Sequence, residues 1–415
     1  MAPSLSARGS SLVDNSPIPE YIETHQERVL TVDRDDPERY LGLCIAENLL
    51  MWDLLDPQIN RVRGVQPSAV AYGSHTGSEA LREQIARFGS EHVWGRPVDA
   101  DHVVALAGAG SILESLFYVI AAPGEGVLVP TPSYAGYWFD IETRDDLTVV
   151  PVHTRSDDGF RLTPELLEEA FTQSTVPIAA LILTNPDNPT GGIMASDDLK
   201  QAIEWARGHD IHIIVNGIYA LSVHTGETFI PVASIVDDVR EDIHEVWGFS
   251  KDFAMSGVRA GVLTTQNQRV LSALNAIAYW SCISGDTQHL LVNMLTDAEW
   301  LSSYINTMRQ RLAKSYRATT TALDAAGIPY ISGDAGLYLL ADFRQFMPEL
   351  TWEVEDLLWR RILDESNVNL TPGSACHIGE PGFMRICFAT EEPGIVEVAI
   401  GRVSALLSGG RPSDT

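Results

Sequence analysis

Short apolar runs alternate with helix-like stretches through the middle of the chain. "HVVALAG", "GVLVP", "LTVVPVH", "IAALILT", "IHIIVN" and "IHEVWGF" lie between residues 102 and 249, apolar throughout and separated by helical patterns. A mostly parallel sheet covered on both faces needs runs of this kind. In "GSEALREQIARF", Leu81, Ile85 and Phe88 follow at steps of four and three, which puts them on one helical face. The fold class read from this pattern is α/β, with a mostly parallel central sheet in a large domain.

Near residue 296 the pattern changes. "DAEWLSSYINTMRQRLAKSYRATTTALDAAG" repeats apolar residues at Leu301, Ile305, Met308 and Leu312, and stops at Gly327, a residue suited to a left-handed cap. Strand-like pieces follow, "GLYLLADF" and "GFMRICFA", and they predict a second, smaller α+β domain. No internal repeat and no low-complexity linker interrupts the chain.

Composition narrows the function classes. At 415 residues, 45% of them hydrophobic, the chain can bury a large core. A formal net charge of -28 would be repelled by nucleic acid and by an anionic membrane surface, and neither is expected as a partner. Cys44, Cys282, Cys376 and Cys387 show no C-x-x-C spacing and no zinc-like cluster, so no metal is expected and buried free thiols in a reducing cytoplasm are the default. "MAPSLSARGSSLVDN" lacks the apolar core of a signal peptide, and no run approaches the roughly 18 apolar residues of a membrane helix. Both ends, including "SGGRPSDT", read as frayed tails.

The candidate chemistry centres on "VWGFSKDFAMSGVRAGVL", where Lys251 stands between an apolar strand and a Gly-x-Arg-x-Gly-like segment. A lysine there can be a surface charge, a salt-bridge partner or a Schiff-base amine. Its companions bear on the choice. "LAGAGSILESLF" places Gly110 and Ser111 where a strand turns into a helix, a site for phosphate. "PTPSYAGYW" offers Tyr134 for stacking, "LTNPDNPTGG" offers Asn188, and "IIVNGIYAL" ends a strand with Asn216 and Tyr219. Each is ambiguous alone.

Their order along the chain resembles that of the fold type I pyridoxal phosphate enzymes of the class I/II aminotransferase family. The glycine turn, aromatic, N-P-x-N-P-T-G, x-x-x-Y, S-K, R-x-G and final arginine recur over roughly residues 40 to 400. The resemblance implies that Lys251 forms the Schiff base and shuttles the Cα proton. Arg259 and Ser250 would hold the phosphate, Asn188 and Tyr219 the ring oxygen, and Tyr134 would stack on the ring. Arg385 would clamp a substrate α-carboxylate in a bidentate fork. It also implies an N-terminal arm over 1–47 that joins the small domain, a large cofactor-binding domain over 48–298, the long helix and small C-terminal domain over 299–410, and a tail at 411–415. The site would lie between the domains of a homodimer that shares residues across its interface, with Tyr72 and His75 as candidates for the shared ones.

Three segments are similar to those of the 1-aminocyclopropane-1-carboxylate synthases: "LGLCIAENLLMWDLL", "GDTQHLLVNML" and "TPGSACHIGEPGFMRICFA". This branch implies S-adenosylmethionine as substrate, with Cα deprotonation and loss of methylthioadenosine from Cγ, and a substrate-recognition role for Glu47. A helix-start carboxylate is the plain reading of Glu47. Four positions depart from the branch: Asn216 replaces the aspartate opposite the pyridine nitrogen, Gly248 a phosphate-binding serine, His75 a tyrosine and Phe139 an arginine. A neutral amide cannot hold the ring nitrogen protonated as a carboxylate does, so the ring is expected to be a weaker electron sink. The readings left open are a synthase-like enzyme that makes the cyclopropane or passes its carbon skeleton to a second small-molecule substrate, an aminotransferase acting on an amino acid and a 2-keto acid, and a binding module without catalysis.

Overall fold

The computed structural model describes residues 4–14, 16–33 and 36–409. A two-residue strand, β1 (Leu41–Gly42), precedes the main sheet, whose seven strands are β2 (Val103–Leu106), β3 (Gly126–Thr131), β4 (Thr148–His153), β5 (Ile178–Thr184), β6 (His212–Asn216), β7 (Ile243–Gly248) and β8 (Gly261–Thr265). Their spatial order is β2-β8-β7-β6-β5-β3-β4. Every neighbouring pair is parallel except those made by β8, which runs antiparallel to both β2 and β7.

All six apolar runs form strands, because both faces of the sheet are covered. Val127, Val129, Ile182 and Ile214 pack on one side, and Leu128, Leu181, Leu183 and Ile213 on the other. Strand β8 is the one element of the sheet that the pattern did not yield. It follows the Arg259 segment directly, and its apolar stretch is only Val262 and Leu263 before Thr264 and Thr265, too little to stand out.

Helix Glu79–His92 starts at Ser78, whose hydroxyl accepts from Leu81 N at 3.3 Å, and it buries Leu81, Ile85 and Phe88 as their spacing predicts. The long helix Ala298–Ala326 buries Leu301, Ile305, Met308 and Leu312 and ends at Gly327, with φ 65°. Beyond it lie β9 (Tyr330–Ile331), β10 (Tyr338–Asp342), β11 (Val368–Asn369), β12 (Thr371–Pro372) and β13 (Phe383–Cys387). Four of these form an antiparallel sheet in the order β12-β13-β10-β9, while β11 pairs in parallel with β1. Tyr21, Tyr40, Leu41 and Leu43 pack into the same apolar cluster as Leu339, Trp359, Ile386 and Ile400, so the N-terminal segment is built into the C-terminal core.

Three expectations need correction or bounding. The N-terminal stretch is not simply frayed: Ala7–Asp14 is helical, although it buries no residue. Cys44, Cys376 and Cys387 are buried thiols, but Cys282 is exposed. The tail at 411–415 lies outside the described residues. Among those residues no helix is long and apolar enough to cross a membrane, and no group of three or more His, Cys, Asp or Glu is placed to hold a metal.

Candidate active site

The C-terminal ends of β2, β5, β6 and β7 lie at one edge of the sheet, where parallel α/β sheets place their ligands. Strand β7 ends at Gly248 and passes into a single helical turn, Phe249–Asp252, that carries Ser250 and Lys251. Asp252 pins this turn. Its buried carboxylate accepts from Ser222 Oγ at 2.6 Å, Trp247 Nε1 at 2.9 Å and Leu221 N at 3.1 Å. The preceding side chain, Lys251, is thereby held in place, and its Nζ donates to Ala46 O at 2.6 Å. Burial disfavours its charged form and lowers its pKa to about 8, although the Glu47 charge opposes that shift.

A phosphate cup faces the lysine turn. Gly108, with φ 98°, caps helix Ala109–Ile120 directly after β2. The first backbone N–H groups of that helix have no intrahelical acceptor and suit an anion. Arg259 completes the cup. It is exposed, sits in the left-handed region at φ 56° and donates from Nη1 to Ser256 O at 2.9 Å. A Cβ on Gly108 would lie 2.4 Å from Arg259 Nη2, so only glycine leaves the guanidinium its place. Gly108 was not singled out from the sequence, although its position between strand and helix was the available signal. Gly110 faces Asp140 rather than Arg259, and the Ser111 hydroxyl donates to Ala107 O at 3.1 Å.

On the other side stands a buried cation. Arg385, on β13, donates from Nη1 to Asn188 Oδ1 at 2.9 Å and from Nη2 to Cys44 O at 2.7 Å and Thr371 Oγ1 at 3.1 Å. Its Nε is buried without an acceptor, and among the described residues no carboxylate pairs with it. A buried guanidinium with an unused donor is a site for an anion. Asn188 Nδ2 donates to the Tyr219 hydroxyl at 3.5 Å, and burial raises the Tyr219 phenol, keeping it protonated. Glu47 accepts a short hydrogen bond from Ser256 Oγ, which ties the segment after β1 to the loop of Arg259. Tyr134 remains 43% exposed and meets the edge of Tyr137 at 5.5 Å between centroids.

Asn216 ends β6 and is buried. Its Nδ2 donates to the Tyr137 hydroxyl at 2.8 Å, and its Oδ1 accepts from Ile218 N at 3.2 Å. Tyr137 in turn lies 2.6 Å from Thr184 Oγ1. Sequence reading passed over Tyr137, whose neighbour Tyr134 carried the motif.

Two candidates lie elsewhere. Tyr72 is fully exposed, and His75 stands edge-on to Tyr279 at 5.4 Å. Both line a separate hollow of about 490 Å³ with Cys282, Ser284 and His289. Another cavity, of about 270 Å³, lies beyond Tyr137 between Phe160, Thr184, Asp187 and Met194, and Lys251 does not line it.

A family model described as aminotransferase class I and II matches residues 39–403. The chain is 33% identical over 393 residues to 1-aminocyclopropane-1-carboxylate synthase 6 of Arabidopsis thaliana, covering 90% of this chain and 79% of that protein. It is 31% identical to synthase 7 of the same plant over 389 residues, 89% of this chain and 87% of the relative. Among solved structures, aspartate aminotransferase from Thermus thermophilus with maleate superposes with a TM-score of 0.83 at 22% identity, covering 97% of this chain and 100% of the other. Aspartate aminotransferase from Thermotoga maritima gives 0.81 at 25% identity, with 97% and 100% covered.

Proposed function

The chain belongs to the class I and II aminotransferase family and is a pyridoxal phosphate-dependent enzyme, and from that premise we propose that it acts on S-adenosylmethionine in the manner of the 1-aminocyclopropane-1-carboxylate synthases. The residues present fit the cofactor. Arg259 over Gly108, Ser250 and the N-terminus of helix Ala109–Ile120 suit its phosphate, Asn188 and Tyr219 its ring oxygen, Tyr134 its ring face, and Lys251 its aldehyde carbon. When bound, pyridoxal phosphate supplies the electron sink that lets a Cα–H bond of an amino acid break heterolytically.

The observation that carries the choice of substrate is Glu47, a carboxylate held by Ser256 beside Lys251. It complements an amino acid whose γ position carries the positive charge of a sulfonium. Arg385 offers the α-carboxylate its buried charge and its unused Nε. Lys251 Nζ, whose pKa burial lowers to about 8, takes the Cα proton in its neutral form. The electron pair left on Cα closes onto Cγ as the Cγ–S bond breaks, and the sulfur leaves with that bond's pair as methylthioadenosine. Were a second nucleophile to bond to Cγ as the sulfur left with its pair, Cα would take a proton back from Lys251 and a γ-replaced amino acid would result. In a cytoplasmic homodimer, Tyr72 and His75 would serve the partner's site, a reading supported by the exposed Val70, Tyr72, Tyr279 and Trp280.

The test is to mix the holoprotein with S-adenosylmethionine and assay methylthioadenosine together with the amino-acid product. Release of methylthioadenosine with 1-aminocyclopropane-1-carboxylate supports the plain synthase, and release with another four-carbon product supports γ-replacement. No release, together with accumulation of pyridoxamine phosphate from an amino acid, would replace this reading with an aminotransferase.

A further inference from the structure

The side chain that ends β6 is wired to two others in a way that fixes which of its atoms faces which partner. Ile218 N is a donor and needs an acceptor, so the atom of Asn216 at 3.2 Å from it is the carbonyl oxygen Oδ1. The amide nitrogen is then the atom at 2.8 Å from the Tyr137 hydroxyl. Because Nδ2 donates, the Tyr137 oxygen accepts and its own proton is free for Thr184 Oγ1 at 2.6 Å. The chain of donors runs from Asn216 to Tyr137 to Thr184. A carboxylate at position 216 would reverse it, since a carboxylate only accepts. Burial raises the Tyr137 phenol far above its usual range, so it stays a neutral hydroxyl able to play this part.

One hydrogen of Nδ2 remains. It has no acceptor among the described residues, on a side chain that is 5% exposed. We infer that Tyr137 is a positioning residue which, with Ile218 N, orients Asn216 to present an N–H to the ring nitrogen of pyridoxal phosphate and keeps that nitrogen unprotonated. The inference rests on the family's cofactor being bound at this site. Among the described residues no carboxyl contacts Asn216. Of the two carboxyls whose charge reaches Tyr137, Asp187 is committed to Thr190 Oγ1 at 2.6 Å and Thr190 N at 3.2 Å, while Asp140 is near Gly110, its Oδ2 is buried without a partner among the described residues, and burial raises its pKa to about 7.

The consequence is chemical. A pyridinium draws the Cα electron pair far into the ring, whereas a neutral pyridine draws it less and leaves more of it at Cα. Density kept at Cα suits displacement of a leaving group at Cγ. It disfavours reprotonation at the cofactor carbon, the step that transamination requires. The geometry of three side chains in this protein thus favours one of the two outcomes open to its family.

The experiment uses apoprotein reconstituted with pyridoxal phosphate labelled with nitrogen-15 in the ring, and reads the ring-nitrogen resonance directly. The wild type is expected at the neutral-pyridine position, and the isosteric Asn216→Asp variant at the pyridinium position. In Tyr137→Phe, which keeps the aromatic ring, loss of the amide's acceptor should move the resonance toward that of a pyridine with no hydrogen bond. A pyridinium resonance in the wild type would overturn the inference, as would a resonance that Asn216→Asp leaves in place. A Tyr137→Phe resonance identical to the wild type would remove Tyr137 from it. Failure of the wild type to retain the cofactor, seen as loss of protein-bound visible absorbance, would instead overturn the premise and the inference with it.

Discussion

Arg385 donates from Nη1 to Oδ1 of Asn188 at 2.9 Å, joining β13 to the turn after β5 across 197 positions of sequence. The contact does two things. It carries a cation from the four-stranded antiparallel sheet to the turn after β5 of the seven-stranded sheet, and it uses the oxygen of Asn188, so that Nδ2 is left for Tyr219.

Arg385→Lys should remove the fork while keeping the charge. A buried charged group that loses its hydrogen-bonded partners costs about 2–5 kcal/mol, so kcat/KM for any amino-acid substrate should fall by at least about 30-fold. Steady-state kinetics at fixed cofactor saturation would check this. Because Arg385 also binds Cys44 O, a fall in Tm should accompany the loss.

Lys251 should react as a lowered-pKa amine. The neutral form is the nucleophile, and its fraction rises as pH rises through about 8. Capture of pyridoxal phosphate by the apoprotein should therefore accelerate with pH and level off above that value, whereas an unperturbed lysine would keep accelerating to about pH 10.4. Stopped-flow absorbance from about pH 6 to about pH 10, roughly two units either side of about 8, would decide.

Glu47→Gln should separate charge recognition from shape. Binding of S-adenosylmethionine should weaken about tenfold, in the range of a hydrogen bond or close contact to a charged group, while a neutral thioether analogue should be little affected. The same variant should move the Lys251 profile to lower pH, because the Glu47 charge raises that pKa against the effect of burial. An unchanged preference for the sulfonium would separate Glu47 from substrate recognition.

Gly108→Ala tests the phosphate cup. A side chain at φ 98° is strained by about 1–3 kcal/mol, and its Cβ would displace Arg259. The dissociation constant of the cofactor should rise about 10–100-fold, read by equilibrium dialysis. Gly110→Ala, whose Cβ would meet Asp140 at 3.2 Å, should cost less cofactor affinity.

Trp280→Glu places a charge on the exposed face shared by Tyr72 and Tyr279. If that face joins two copies, light scattering should show the variant shifted to monomer at concentrations where the wild type is a dimer, with activity lost in parallel. An unaltered mass would move the interface elsewhere.

How much of this was legible beforehand follows from what each feature depends on. The strands of the main sheet were readable because burial on both faces forces each to be apolar throughout, and the long helix because its buried face repeats along one segment. Strand β8 was not, since only Val262 and Leu263 of it are apolar and its place between β2 and β7 is set by pairing. Lys251, Asn188, Tyr219, Arg259 and Arg385 stand out in the sequence as an ordered set of residue types, and the contacts of Asn188 with Tyr219 and Arg385 are set by the tertiary structure. Gly108 and Tyr137 were overlooked, since neither glycine nor tyrosine is unusual where they stand.

The sequence by itself determined the fold class and the family, since periodicity and ordered motifs are properties of the chain. Only the tertiary structure decided the wiring. Asn216 meets a hydroxyl 79 positions away, and that hydroxyl meets another 47 positions beyond it. Which atom of an amide donates and which accepts is set by those neighbours in space, and no local pattern of residues encodes it.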